Sequence, residues 1–221
     1  MYTFTEAYIG VRLWSRGFRG LELRDDTKAE RQAEIERAAY GLLNERGYGG
    51  TSMLNIAKQA KASNETLYRW YGDKTGLFKA MVESNARATK AALEEAIRDE
   101  AEPLASLESV APTLLSMLLG ERAISLNRAA ASDESGELGA ALAAAGRDSV
   151  FPLIETLIQR GLEGRALTAP SARVAAEWFL SLLIGDLQVR RVIRTRPVPS
   201  AEDVQARVNA AMEAFRKLSA T

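Results

Sequence analysis

The chain has 221 residues, 47% of them apolar, with 29 basic and 29 acidic side chains and neither cysteine nor histidine. That apolar share excludes a disordered chain, and the length suffices to bury a core in one large domain or two small ones. Without Cys or His there is no disulfide framework, no Ser-His-Asp or Cys-His nucleophile, and none of the usual zinc, haem or iron–sulfur ligands.

Carboxylate chemistry would need paired acids in an apolar setting, and the chain has no such pair. Neither an enzyme nor a bound metal or cofactor is therefore expected. No run approaches the roughly 18–20 apolar residues that cross a bilayer. Arg12, Arg16 and Arg19 interrupt any secretory signal, so a cytoplasmic location is expected. Charge is uneven along the chain. Residues 28–79 carry nine basic and six acidic side chains, whereas residues 80–221 carry 16 and 19. The first segment has the sign that a DNA contact needs.

Residues 1–25 show no clean period, with Gly10, Gly17 and Gly20 interrupting. Their four arginines and several aromatics fit a basic arm reaching along DNA. A poorly ordered tail, or a start codon assigned too early, fits as well. The spacing of Ile35, Ala38, Ala39 and Leu42 predicts a helix over 27–46, ended by Gly47.

The stretch 51–78 carries the chemistry. Met53, Ile56, Ala57 and Ala60 form one apolar helical face, with Thr51 and Ser52 placed to cap it. Residues 61–63 break the pattern, and Ser63 is a candidate second cap. A second helix over 64–71 turns Leu67 and Tyr71 inward and leaves Asn64, Glu65, Thr66, Tyr68 and Arg69 outside. Two such helices with a short turn have the dimensions of a helix-turn-helix. A solvated structural helix would carry Glu, Lys and Gln on its open face. Asn, Thr, Tyr and Arg instead bond base edges and phosphates. The alternative is a helical hairpin that merely packs.

The pattern Thr51-x4-Ile56-Ala57, followed by Thr66-Leu67-Tyr68-x-Trp70-Tyr71-x-x-Lys74-x-x-Leu77-Phe78, resembles the DNA-binding signature of the tetracycline-repressor (TetR) family, in register over 33–82. One departure is Lys61, where that family commonly has Gly. If the position is left-handed, a side chain there costs about 1–2 kcal/mol.

Beyond the motif, a helix over 74–98 carries Leu77, Phe78, Met81 and Val82 on one side and links the two domains. Further helices are predicted at 104–119, 121–131, 137–149, 152–163, 171–194 and 200–218, with a loop over 161–170. Pro152 fits the first turn of its helix, or kinks one long helix. Pro170-Ser171 and Pro199-Ser200 mark helix starts, and Ser200-x-x-Asp203 resembles a capping box. The apolar positions of the last two helices would close a bundle within one chain or form a four-helix interface with a second copy. The resemblance implies the second, a homodimer. Residues 177–193 also resemble the C-terminal domain of the AefR-like subgroup.

Met117, Phe151, Trp178 and Phe179 are candidates for a ligand pocket, with plain core as the alternative. Asp186 reads either as a polar anchor in that pocket or as the partner of Arg190 in an i,i+4 ion pair, and the ion pair is favoured.

The expected fold is all-α, in three parts: an extension (1–25), a helix-turn-helix DNA-binding domain (26–80), and a helical ligand-binding and dimerisation domain (81–221). Thr51, Ser52, Tyr68 and Lys74 are the candidate phosphate contacts. Asn64, Glu65, Thr66 and Arg69 are the candidate base readers. The resemblance implies a repressor that binds a palindromic operator as a dimer and is released by a small molecule, here expected to be apolar. The rival reading is an effector-independent structural or cell-division factor bound to DNA on the same scaffold.

Overall fold

The computed structural model describes residues 27–100 and 102–220 in full and, for residues 7–26, the backbone alone. The expectation of an arm or tail over 1–25 lies outside the fully described residues. Among the described residues every regular element is a helix. The chain forms two compact units, one reaching to Leu67 and the other starting at Tyr68.

In the first unit, α1 (Ala7–Arg46) packs against α2 (Met53–Gln59). The residues that set the predicted apolar faces are the buried ones: Ile35, Ala38, Ala39 and Leu42 on α1, Met53, Ile56 and Ala57 on α2. Gly47, at φ 68°, ends α1 as its composition predicts. Ser52 caps α2 by accepting from the Asn55 N–H at 3.2 Å. The next helix, α3 (Asn64–Tyr71), opens with the Thr66 N–H on the Ser63 hydroxyl at 3.0 Å, as the sequence suggests. Lys61 is left-handed, with φ 51°. The N–H of Ala62 reaches back to the Ala57 carbonyl, and that of Lys61 to Lys58. This paired closure is a Schellman motif with lysine in the glycine position. Arg165 and Arg194 close two later helices in the same way.

The second unit is a helical bundle. α4 (Lys74–Arg98) starts on the carboxylate of Asp73, which accepts from the Gly76 N–H at 2.7 Å. α5 (Pro103–Leu119) starts one residue earlier than its predicted bound. Proline fits its first position, and Glu102 accepts from the N–H groups of Leu104 and Ala105. α6 (Glu121–Ala131) matches its predicted limits.

Three predicted boundaries differ more widely, the first being that of α1, whose backbone is helical from Ala7 rather than from residue 27. α7 (Glu137–Leu142) runs through a π-helical turn (Ala143–Arg147) directly into α8 (Asp148–Glu163). Pro152 thus lies inside α8 rather than in its first turn. The predicted helix over 171–194 is two: α9 (Ala172–Ile184) and α10 (Leu187–Val192). Gly185 separates them at φ 51°, where a Cβ would lie 2.8 Å from Nη2 of Arg207. A glycine in an apolar run was the available signal.

α11 (Ala201–Leu218) begins with the predicted capping box. The Ser200 hydroxyl accepts from the Asp203 N–H, and the Asp203 carboxylate accepts from the Ser200 N–H. The core of this unit joins α4, α5, α8, α9 and α11, with Leu115, Leu157, Ala175, Leu183, Met212 and Phe215 fully enclosed. Among the described residues no single helix is long and apolar enough to cross a membrane.

Candidate functional site

On α3, Leu67 is fully buried and anchors the helix, while Glu65, Tyr68 and Arg69 are exposed. Tyr68 is 50% exposed, with its side chain open to solvent. Asn64 is half-buried, and its Oδ1 is shielded without a hydrogen-bond partner among the described residues. An unsatisfied amide oxygen is costly, and a ligand that turns or engages the amide relieves it. The hydroxyl of Thr66 shares a hydrogen bond of 2.8 Å with that of Ser63, so part of its capacity is already engaged.

Thr51 corrects one expectation. It is buried at 4%, and its hydroxyl donates to the Gly47 carbonyl at 2.8 Å. Its side chain closes the end of α1 and is not displayed for a phosphate. Ser52 is exposed, but its hydroxyl caps α2. Lys74 is half-buried at the start of α4, and burial lowers its ammonium pKa from the ordinary value. A nearby phosphate would favour the charged form again.

The second unit encloses a cavity of about 310 Å³. Its walls come from α4 (Val82, Asn85, Ala86), α5, α6, the α7–α8 turn and the ends of α9 and α10. Gly146 in the π-helical turn faces Val82 of α4: a Cβ there would stand 3.4 Å from Cγ1 of Val82, an ordinary contact. Most of the lining is aliphatic. Polar groups are limited to Asn85, Asn127, Gln188 and Arg147. Asn127 donates to the Ala123 carbonyl at 2.8 Å and Gln188 to that of Leu118 at 3.0 Å, which fixes both amides on the wall.

Of the five expected pocket residues, Met117 and Phe151 line this cavity and the other three do not. Phe179 is core, edge-on to Phe215 with ring centroids 5.7 Å apart. Trp178 is partly buried against the same core. Helical spacing alone could not separate lining from core, because both faces of α9 are apolar. Asp186 bonds Arg190 at 2.6 Å with both side chains more than half exposed, which is the favoured ion-pair reading.

Asp186 instead borders a second cavity of about 590 Å³, rich in arginine. Two of its four arginines are ion-paired, Arg190 with Asp186 and Arg191 with Glu121. Arg191 bonds the carbonyls of Leu119 and Arg196 and the carboxylate of Glu121, and Arg207 bonds the Leu183 carbonyl. Sequence reasoning missed this network entirely, since a buried arginine has no periodic signature.

A helix-turn-helix with an exposed Tyr and Arg on its second helix, together with a bundle holding an apolar cavity, is the make-up of a DNA-binding transcriptional regulator. Residues 35–81 match the model of the bacterial regulatory proteins of the tetR family, and residues 105–218 match the C-terminal domain of AefR-like transcriptional repressors. The chain belongs to the TetR family, whose members are DNA-binding transcription factors and not enzymes.

Solved structures agree. A TetR transcriptional regulator from Agrobacterium tumefaciens is 28% identical, with a TM-score of 0.66, covering 86% of this chain and 94% of that one. A protein described as a TetR-family regulator from Mesorhizobium loti is 25% identical, with a TM-score of 0.71 over 87% and 98% of the two chains. The regulator FadR from Bacillus subtilis, solved with stearoyl-CoA, shares the fold at 17% identity, with a TM-score of 0.67 over 83% and 96%. No curated protein matches the sequence significantly.

Proposed function

We propose that the protein is a ligand-responsive repressor, active in the cytoplasm, which binds a palindromic operator as a homodimer and leaves it when a small apolar molecule enters the cavity of the second unit. Residues 26–80 are assigned to DNA binding and 81–221 to ligand binding and dimerisation. Two α3 helices would enter successive major grooves about 34–36 Å apart, with Asn64, Glu65, Thr66 and Arg69 toward base edges and Ser52, Tyr68 and Lys74 toward phosphates. Pairing through α9 and α11 would cover the half-exposed apolar side chains that α9 carries.

The observation that carries the effector is the cavity itself. An effector-independent structural factor on this scaffold would need no cavity, and about 310 Å³ lies at the lower end of small-molecule sites. α4 lines that cavity and follows α3 after only Gly72 and Asp73, so a ligand that displaces α4 would reach the reading helix along the chain. The ligand must prefer the DNA-incompetent form by roughly 1–3 kcal/mol, a typical coupling.

The test is a gel-shift at fixed salt, with nonspecific competitor, on DNA from immediately upstream of the protein's own gene. A discrete complex on a palindromic site is expected. Salt-sensitive smearing that is equal for all sequences would favour the effector-free reading.

A further inference from the structure

Given that the cavity is the effector site, we propose that its ligand is a monoanionic amphiphile: an apolar body inside the cavity and one carboxylate or similar anion held by Arg147 at its mouth. Among the described lining residues Arg147 alone is charged, and no aspartate or glutamate faces the space. Its guanidinium lies 5.2 Å from the centroid of the Phe151 ring, itself a wall of the cavity. That cation–π contact holds the guanidinium beside the ring, and a guanidinium presents a fork of N–H donors.

The neighbouring guanidinium makes the contrast. Arg173 also stands over Phe151, at 5.5 Å, but Glu177 neutralises it at 3.7 Å. Arg147 has no acidic partner within salt-bridge distance among the described residues. It is exposed while Ala123, Leu126 and Ile154 on the same wall are buried, so charge sits at the entrance and hydrocarbon in the interior.

That gradient selects the ligand's polarity. A cation would meet like charge at the mouth, and a neutral amide would offer one uncharged acceptor to the fork. A carboxylate gains charge-assisted, bidentate hydrogen bonds there and keeps part of its hydration. The carboxamides of Asn85, Asn127 and Gln188 carry no net charge and leave the discrimination to Arg147. The volume, that of about ten liquid waters, limits the body to roughly ten to fifteen non-hydrogen atoms.

Calorimetric titration of the full-length protein tests this with decanoate, decanamide and decylamine. A second pair, 4-butylbenzoate and its amide, separates straight-chain from aryl bodies. Expected is a carboxylate bound about tenfold more tightly than its own amide, with the amine weakest. Arg147→Gln should remove most of that preference, lowering affinity for the carboxylate about tenfold and for the amide much less, and Arg147→Lys should restore part of it. Thermal melts of both variants should match the wild type, since the side chain is exposed.

Equal binding of acid, amide and amine overturns the proposal but leaves the cavity as the effector site. Loss of amide and acid together in Arg147→Gln, with an unchanged melt, also overturns it, because the arginine would then shape the site rather than select charge. No binding of any probe, combined with an operator complex that none of them releases, removes both the anion and the effector cavity.

Discussion

The guanidinium of Arg31 donates to the main-chain carbonyl of Lys61, the residue whose left-handed backbone closes α2. Arg31 is itself fixed by Glu34 at 2.6 Å. The turn of the helix-turn-helix is therefore tied to α1 through backbone, not through the lysine side chain. Glycine at position 61 would keep this bond and remove the steric cost of a Cβ at positive φ. Lys61→Gly should stabilise the protein by about 1 kcal/mol, raising the melting temperature by roughly 2–4 °C. Calorimetric or circular-dichroism melts check this. A variant no more stable than the wild type would mean that the lysine contributes a compensating interaction of its own.

A second expectation separates the two kinds of DNA contact. Tyr68 is exposed and suited to a phosphate, so Tyr68→Ala should weaken binding to all sequences by a similar factor. Asn64 holds a shielded, unpaired Oδ1 and is suited to a base edge. Asn64→Ala should relax selectivity at one base pair, by about 1–3 kcal/mol of discrimination. Binding to an operator library, read at fixed salt, tells them apart. An Asn64→Ala protein with the wild-type sequence preference would remove Asn64 from the base readers.

The sequence made the reading helix legible because its signals are local. Ser52 and Ser63 are caps, Leu67 is the anchor, and the left-handed Lys61 was foreshadowed by the motif's missing glycine. Helix limits at 53–59, 64–71, 74–98 and 121–131 follow from the same short-range rules. The cavity was only half legible. Met117 and Phe151 line it, yet nothing in a helical period distinguishes them from Phe179, which the packing of α9 against α11 turns into core. Arg147 gave no signal at all. Its place depends on a π-helical turn that shifts the register between α7 and α8, which an Ala-rich stretch does not announce.

The capping box of α11 makes stability depend on acid. The Ser200 N–H and hydroxyl both donate to the Asp203 carboxylate, at 3.0 and 2.8 Å. These bonds, with the field of Arg196, hold its pKa below the ordinary 3.8. An Asp depressed in the folded state adds stability above its unfolded pKa and loses it as pH falls through the folded one. Asp203→Asn should therefore melt below the wild type near neutral pH. The gap should narrow only as the pH drops below 3.8. A gap that stayed constant down to the acid limit would show that the charge of Asp203 has no part in the cap.

Arg191 offers the sharpest separation between charge and backbone satisfaction. It is one of the few buried charged residues, at 5% exposure. Its three bonds run to the Leu119 carbonyl at 3.0 Å, the Arg196 carbonyl at 3.1 Å and Glu121 at 2.7 Å. Arg128 adds to the same corner, donating to the carbonyls of Arg191 and Val192. Together they stitch α10 to the junction of α5 and α6. Glu121 is mostly exposed, so water replaces it readily and the ion pair itself contributes little. The Leu119 carbonyl at the end of α5 has no such recourse. Glu121→Gln should cost under about 1 kcal/mol, whereas Arg191→Met, which keeps the packing volume but leaves carbonyls without a donor, should cost about 2–4 kcal/mol. Urea unfolding of the two variants measures both. If the two losses proved equal, the ion pair would be what holds α10, and the carbonyl bonds would be secondary.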